Sequence, residues 1–135
     1  MHNLIKLEEL TKKLADAETL LSLFFNSSTA LFCIAQIDGR FIKVNPCWTN
    51  TLGWSFEELT NKAWIDFVHP DDLADTIATA AKMVLGEKIS GFMNRYRCKD
   101  GSYKVLLWSS PQFDKGLSYA TAMDVTDLEI RHGKR

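Results

Sequence analysis

Residues 38–54, DGRFIKVNPCWTNTLGW, constrain the fold more than any other stretch of this sequence. Within them, Asp38 and Gly39 separate two short apolar runs at residues 31–37 and 41–44. An Asp-Gly pair between two such runs predicts a β-hairpin, because both residues tolerate the positive φ angles of a tight turn. The chain is therefore expected to enter a sheet here, through two antiparallel strands.

The dipeptide Asn45-Pro46 predicts that a helix begins directly after the second strand. The residue before a proline is pushed away from the α region, asparagine is a good N-cap, and proline suits the first helical position. Gly53 is typical of a helix end, because glycine adopts the left-handed conformation without steric cost. A strand that feeds a helix with almost no linker predicts a concave sheet with helices over one face, an arrangement suited to holding a small molecule.

The composition predicts one domain with a substantial core, since 46% of the 135 residues are hydrophobic and 11% are aromatic. The net charge of −1 and the pI near 6.3 give no electrostatic reason to expect nucleic acid or an anionic membrane as a partner. No stretch has the apolar length of a signal peptide or a membrane span, so we interpret the chain as cytoplasmic. Cys33, Cys47 and Cys98 are widely spaced and odd in number, which predicts small buried side chains and neither a disulfide framework nor a metal site.

Residues 3–25 are predicted to form an amphipathic helix, because apolar residues recur at alternating spacings of three and four. Three heptads are the minimum that suggests a coiled coil, so this helix either dimerises and carries a signal or packs on its own domain. The predicted dimer-interface residues are Leu7, Leu10, Leu14, Leu21 and Phe24. The pattern then breaks, and we divide the chain into this helical segment at 1–26, a compact domain at 27–125 and the start of an outgoing helix at 126–135.

Further helices are predicted in the middle of the chain. Ser55 and Glu58 have the spacing of a capping box, in which each side chain satisfies a backbone N–H of a new helix. Pro70, followed by two acidic residues, opens a longer helix that Gly86 ends. We interpret His69 as a loop residue beside that helix and not as a metal ligand, since no second His or Cys lies at ligand spacing.

The last third of the chain is predicted to be an antiparallel meander of three strands at residues 92–98, 103–110 and 117–125. Alternation assigns Asn94 and Tyr96 to the inner face of the first of these strands. Apolar residues on both faces of the second strand indicate that both faces are covered. The middle helices would cover the inner face, and the first helix or a second subunit would cover the outer one.

The DG turn, NP, LGW, SFEEL, HPDD, KDGS and DVTDLE follow one another between residues 22 and 129, and in this order they resemble the PAS domain family with its C-terminal PAC segment. The resemblance implies an α+β fold: a five-stranded antiparallel sheet of order 2-1-5-4-3, helices over one face, and a cavity between them. It also implies a sensory or dimerisation module that is not itself an enzyme. Such modules occur in histidine kinases, cyclic-di-nucleotide enzymes and transcription regulators. Here we expect the module to belong to a homodimeric protein and to be covalently linked to a histidine kinase as its effector domain.

The resemblance also assigns roles to single residues. A helix carboxylate and a hairpin lysine that frequently form an ion pair in the family correspond to Glu57 and Lys99, although an exposed pair is worth only about 0–1 kcal/mol. The Asp-x-Thr at the sheet exit corresponds to Asp124 and Thr126, which couple the core to the outgoing helix. Thr126 and Glu129 have capping-box spacing, so a shift of the last strand is expected to strain or relax that cap.

The cofactor-bearing branches of the family are not matched by this sequence. Light-sensing flavin members carry a reactive cysteine where this chain reads NKAWIDF at residues 61–67, and haem members bring a histidine from the long helix, where residues 73–85 contain none. Cys47 lies too early for the chromophore attachment of photoactive yellow proteins. We therefore expect no cofactor: haem is disfavoured, while a non-covalent flavin or another small organic ligand stays open.

A pocket for such a ligand would be formed by aromatic and small residues on the inner face. The predicted lining residues are Trp64, Phe67, Asn94, Tyr96, Leu106, Trp108 and Ala122. Ordinary core packing of these side chains is the leading alternative, because aromatic residues more often fill an interior than enclose a ligand. The alternative function is a stand-alone ligand carrier or a small enzyme, and the enzyme is the weaker of the two because no nucleophile–base pair, phosphate loop or metal cluster is recognisable.

Overall fold

The computed structural model describes residues 2–37 and 39–131, and its helices and strands follow one another in the predicted order. Among these residues no helix combines the length and the apolar character needed to cross a bilayer. In chain order the elements are α1 (His2–Ser27), β1 (Leu31–Gln36), β2 (Phe41–Val44), α2 (Pro46–Leu52), α3 (Phe56–Thr60), two 3₁₀ turns (Trp64–Phe67 and Pro70–Asp72), α4 (Leu73–Val84), β3 (Ile89–Arg97), β4 (Tyr103–Asp114), β5 (Leu117–Asp124) and α5 (Thr126–Arg131).

The five strands form one antiparallel sheet of order β2-β1-β5-β4-β3, which confirms the predicted fold class. The predicted hairpin of β1 and β2 is confirmed by their pairing, for example of Cys33 with Val44. Asp38, on which that prediction partly rested, lies outside the described residues. Because β5 lies between β1 and β4, the last strand of the domain is bound directly to the first.

Two strands are longer than the sequence predicts. Strand β3 begins at Ile89 rather than at residue 92, and β4 continues to Asp114 past an irregularity in its pairing with β5. The turn that ends β4 contains Lys115 and Gly116, both at positive φ. The extra residues bring the far end of β4 alongside the start of β5.

Alternation along the strands places every second side chain on the inner face, as predicted. On β3, Asn94 and Tyr96 are buried while Met93 is exposed. On β5, Ala122 is buried while Met123 is exposed. The buried side chains of α2, α3 and α4 join those of the strands in one hydrophobic core, so the helices cover the inner face.

Helix α1 extends away from the domain. Its side chains from His2 to Phe24 are all exposed, and only Phe25 is partly buried, where its ring lies 6.3 Å from the ring of Phe32. The alternative in which α1 packs on its own domain is therefore wrong for this structure. The outer face of the sheet is left exposed at Tyr119 and Met123.

Asn45 precedes α2 at the predicted place, but its side chain makes no capping hydrogen bond to the helix. The amide is buried, and its oxygen accepts the backbone N–H of Phe32 at 2.9 Å. Its nitrogen donates to the carbonyl oxygens of Phe25 at 3.0 Å and Ala30 at 2.9 Å. One side chain thus joins the end of α1, the start of β1 and the start of α2.

The predicted helix boundaries around α2 and α3 are confirmed. Gly53 has a φ of 89° and ends α2 in the left-handed conformation. Ser55 and Glu58 form both hydrogen bonds of the capping box at the start of α3. Pro70 opens a 3₁₀ turn and not the longer helix, which begins at Leu73. His69 precedes this turn as predicted, and its Nδ1 accepts the backbone N–H of Asp71 at 3.0 Å.

An ion pair fixes the start of α4 to the sheet. The carboxylate of Asp72 accepts the backbone N–H of Arg95 at 2.7 Å and two guanidinium N–H groups of the same residue, each at 2.9 Å. These hydrogen bonds hold the pKa of Asp72 below its usual value. Bidentate pairs of this kind fix orientation as well as distance, so the helix is held in register over β3.

Asn45→Ala is expected to lower the free energy of unfolding by about 2–4 kcal/mol, because it leaves buried backbone groups of three segments without partners. The measurement is urea denaturation followed by circular dichroism. Asn50→Ala is the matched control, since Asn50 is an exposed residue of α2, and it should change stability by less than about 0.5 kcal/mol. Equal effects of the two substitutions would contradict the role assigned to Asn45.

Candidate functional site

A small cavity lies between α4, the first 3₁₀ turn and the inner face of the sheet, with a volume of about 80 Å³. Four of the seven predicted lining residues line it: Trp64, Asn94, Tyr96 and Trp108. Water occupies about 30 Å³ per molecule in the liquid, so the cavity has room for two or three waters or a very small organic group.

The other three predicted lining residues, Phe67, Leu106 and Ala122, are buried but do not line the cavity, and that part of the prediction is wrong. The ring of Phe67 packs instead against the rings of Trp54 and Phe41, with centroids 5.4 and 6.4 Å away. Alternation predicts which face of a strand a side chain occupies. It does not predict where along the strand the covering helices leave a gap.

Several cavity residues were not predicted from the sequence. They are mostly small, polar or sulfur-bearing, and include Cys33, Thr76, Met83, Ser110 and Ser118. Cys33 could have been found, because it alternates with two other inward residues of β1, Leu31 and Ala35. The two serines gave no signal, since a serine in a strand is as common on an outer face as on an inner one.

The amide of Asn94 is the polar centre of the cavity, and only 4% of this residue is exposed. Its oxygen accepts the indole N–H of Trp108 at 2.7 Å, and its nitrogen donates to the hydroxyl of Thr76 at 3.2 Å. The Thr76 hydroxyl in turn donates to the carbonyl oxygen of Asp72 at 2.8 Å. This network connects α4 to β3 and β4. Since an amide offers two donors and two acceptor positions, Asn94 keeps capacity for a further partner.

Tyr96 lies beside this network and is 3% exposed, with its ring between those of Trp48 and Trp108. Its hydroxyl makes no hydrogen bond within the part of the chain that the structure describes. Tyr96 lines the cavity, and its hydroxyl is accessible to a small molecule, because no fully buried side-chain polar atom of the described residues lacks a partner. Burial raises the pKa of Tyr96 well above its usual value and that of Cys33 to about 12, so both groups are neutral at ordinary pH.

A second pair of polar side chains lies where β4 and β5 border the cavity. The hydroxyls of Ser110 and Ser118 are 3.0 Å apart and both are buried. The Ser118 oxygen also lies 3.8 Å from the sulfur of Met83 on α4. These side chains satisfy one another, which leaves the Tyr96 hydroxyl as the polar group most in need of a partner.

The predicted ion pair of Lys99 with Glu57 is wrong, because Lys99 binds the neighbouring residue Glu58. Its ammonium lies 3.0 Å from one carboxylate oxygen of Glu58 and 3.1 Å from the other. The pKa of Glu58 is lowered, first by the backbone N–H of Ser55 and then by Lys99. The capping box directs the Glu58 side chain back toward the helix start, and this position also faces the β3–β4 turn.

At the sheet exit, Asp124 and Thr126 contact each other. One carboxylate oxygen of Asp124 accepts the Thr126 backbone N–H at 3.0 Å and its hydroxyl at 2.5 Å. The Thr126 hydroxyl also accepts the backbone N–H of Val105 at 2.9 Å, while the Val105 carbonyl oxygen accepts the N–H of Val125. The side chain of Glu129, the other half of the predicted capping box, lies outside the described residues.

Within residues 2–37 and 39–131, no group of three or more His, Cys, Asp or Glu side chains is placed to hold a metal ion. Cys33 and Cys98 are buried, and Cys47 is half-buried with its thiol donating to the carbonyl oxygen of Thr29 at 3.2 Å. The described residues that line the cavity carry apolar side chains and uncharged hydrogen-bonding groups.

A protein-family model described as the PAS fold matches residues 41–115, more than half of the sequence. The chain belongs to the PAS fold family. This match spans β2, α2, α3, both 3₁₀ turns, α4, β3 and β4, so it includes both the helices and the sheet that border the cavity. PAS domains are sensory and signalling modules. A comparison with curated proteins returned no match.

Solved PAS domains share the architecture of this one. A PAS domain of an HTR-like protein from Haloarcula marismortui superposes with a TM-score of 0.73 at 21% identity, covering 87% of this chain and 98% of that one. A domain of a sensory box sensor histidine kinase/response regulator from Geobacter sulfurreducens gives 0.71 at 19%, covering 82% and 96%. The PAS domain of the RpfR quorum-sensing receptor from Cronobacter turicensis, in complex with C12:0, gives 0.65 at 12%, covering 75% and 98%. At these identities the likeness shows the fold alone.

Asn94→Ala is expected to lower the free energy of unfolding by about 2–4 kcal/mol, because it leaves the Trp108 indole N–H without its partner. Tyr96→Phe is the contrasting variant: it removes a buried hydroxyl that has no protein partner and should leave stability within about 1 kcal/mol of the parent or raise it. Both are measured by chemical denaturation. A loss of about 2 kcal/mol or more in Tyr96→Phe would mean that its hydroxyl is bonded within the protein.

Proposed function

We propose that this PAS domain is the input module of a homodimeric signal-transduction protein, and that occupancy of its cavity is transmitted through β5 to α5. One observation carries the proposal: β5 contributes Ser118 and Ala120 to the cavity and ends at Asp124, which holds the start of α5. A single strand therefore touches both the ligand space and the outgoing helix.

The transmission step depends on the pairing of β4 and β5 near the exit. Both backbone polar groups of Val105 on β4 are bound there: its N–H donates to the Thr126 hydroxyl, and its carbonyl oxygen accepts the Val125 N–H. Lys104 adds a longer contact to the Asp124 carboxylate at 3.8 Å. A displacement of β5 along β4 cannot leave these contacts unchanged, so it alters the direction in which α5 leaves. At the same end of β4, Lys99 in the β3–β4 turn binds Glu58 of α3 and connects that turn to the covering helices.

Dimerisation is assigned to α1. An isolated helix with an exposed apolar stripe is stabilised by a partner helix rather than by water. The stripe consists of Leu7, Leu10, Leu14, Leu21 and Phe24, which are 60–72% exposed. The spacing of three and four favours a second copy of α1 as that partner.

The cavity supports an uncharged small ligand over a cofactor. Its volume of about 80 Å³ lies below the ~300–1,000 Å³ of sites for drug-sized molecules, and a flavin or haem is larger than that cavity. In the RpfR receptor the PAS domain holds C12:0, a precedent for small-molecule binding in this fold. The domain itself is assigned no catalysis.

For the effector, we favour a cytoplasmic histidine kinase joined to α5. The support is the likeness to the Geobacter sensor kinase domain, which concerns the fold. A cyclic-di-nucleotide enzyme or a transcription regulator would use the same outgoing helix in the same way, because a dimer can read a change in helix crossing in any of them.

Leu14→Glu is expected to dissociate the dimer, because it places two carboxylates in the centre of the apolar seam. Sedimentation equilibrium of the chain should give a dimer for the parent and a monomer for this variant. Lys13→Glu is the matched control, since Lys13 is an exposed neighbour that lies off the stripe, and it should remain a dimer. A monomeric parent protein at micromolar concentration would refute the assignment of α1.

Thr126→Val is expected to speed hydrogen exchange of the Val105 amide about tenfold or more, because that N–H loses its acceptor. The same substitution should change the basal output of the full-length protein. Thr121→Val is the control, since Thr121 lies on β5 shortly before the exit and its hydroxyl makes no hydrogen bond within the described residues. Unchanged output in Thr126→Val, despite faster exchange, would contradict the transmission route.

A further inference from the structure

An open groove lies next to the cavity, on the outer side of the first 3₁₀ turn, with a volume of about 320 Å³. Its walls come from α4, including Ile77, Ala81 and Val84, and from the turn itself, including Ile65. Unlike the cavity, this groove falls within the volume range of sites that bind drug-sized molecules.

The groove and the cavity share three lining residues, Ile37, Trp64 and Ala80. Of these, Trp64 has by far the largest side chain, so its indole is the main partition between the two spaces. The indole is held by one hydrogen bond, from its Nε1–H to the carbonyl oxygen of Gln36 at 2.9 Å. That bond is worth about 0.5–1.5 kcal/mol net. The indole is also buried in the hydrophobic core, so rotation of the ring toward the groove has to exchange its packing contacts as well.

The groove and the cavity differ in the polar side chains that line them, which belong to the cavity. Of the described residues that line either space, none is an Asp, Glu, Lys, Arg or His. The groove is apolar throughout, whereas the cavity offers the unpaired Tyr96 hydroxyl and the spare capacity of the Asn94 amide. A charged ligand would be buried there without a counter-ion, which is strongly unfavourable.

We propose that the groove and the cavity form a single elongated site for an uncharged amphipathic molecule. Its small polar head accepts the Tyr96 hydroxyl proton in a hydrogen bond and reaches Asn94, and its apolar body passes Trp64 and lies along α4 in the groove. The inference rests on the proposed function in that it names the ligand class and access route of the same sensory site. Its binding experiments require neither the dimer nor the transmission step.

The first test compares three probes of equal chain length, 1-octanol, octanoate and octylammonium, by isothermal titration calorimetry at pH 7. Octanol should bind, and the two ions at least tenfold more weakly, because each would have to leave its charge unpaired or change protonation state. Octanoate or octylammonium binding as tightly as octanol would overturn the ligand class. Failure of octanol to bind at its solubility limit would overturn the inference as a whole.

The second test uses variants at each end of the site. Tyr96→Phe should weaken octanol binding about threefold to tenfold, the equivalent of one hydrogen bond. Ala81→Phe should weaken it at least fivefold by filling the groove, whereas Ala78→Phe, on an exposed position of the same helix outside the groove, should not. Equal octanol affinities of Ala81→Phe and the parent would refute the groove as part of the site.

The outcomes separate the two proposals. Octanol binding with the expected variant effects, but with a monomeric chain and unchanged output in Thr126→Val, would retain the site and remove the signalling function. A dimer with an altered output in Thr126→Val, but with no octanol binding, would retain the signalling function and remove the ligand class and the groove.

Discussion

The side chain of Asn45 is the contact on which the arrangement of the domain depends. It satisfies backbone groups of α1, of the linker before β1 and of β1 itself, while its own backbone begins α2. Because buried backbone groups must be paired, these segments can meet only where such an amide is available. Helix α1 is thereby fixed to the domain at the point where the covering helices start. The apolar stripe of α1 is turned away from the sheet.

From that point the core is filled unevenly. Trp48 of α2 is fully buried and lies against Phe41, Tyr96 and Trp108, with ring centroids within 4.7–5.9 Å. Where α4 covers the sheet, small residues line the cavity, with Ala80 on the helix and Ala35 and Ala120 on the strands. Large side chains at one end and small ones at the other leave a space of defined position. The satisfied hydrogen bonds of the Asn94 network fix the positions of α4, β3 and β4 relative to one another. The space between them is therefore kept from collapsing.

Sequence reasoning succeeded where the local pattern determines the structure. Turn residues, capping boxes and strand alternation are local, and the family resemblance supplied the strand order that they cannot give. The errors concern tertiary distances. Glu57 and Glu58 are adjacent acids on one helix turn, and only the three-dimensional path of α3 decides which reaches Lys99. Likewise, Phe67 and Trp64 belong to one 3₁₀ turn, yet only Trp64 borders the cavity. The conformation of Asn45 was predicted, but the use of its side chain was not.

The central pair of strands, β1 and β5, is the route for the transmission that we propose from the cavity to α5. Strand β1 pairs with β5 over six residues, from Leu31 with Ala122 to Gln36 with Leu117. The Asn45 side chain connects β1 to α1, which precedes it in the chain. The contact of Asp124 with Thr126 connects β5 to α5, which follows it. A ligand that prefers one register of this pair by a factor of ten supplies about 1.4 kcal/mol to shift it, comparable to the net value of one hydrogen bond. The free energy of a single contact at the exit is thus small enough for the ligand to exchange it. Contacts formed by several segments, such as those of Asn45, are too strong to respond.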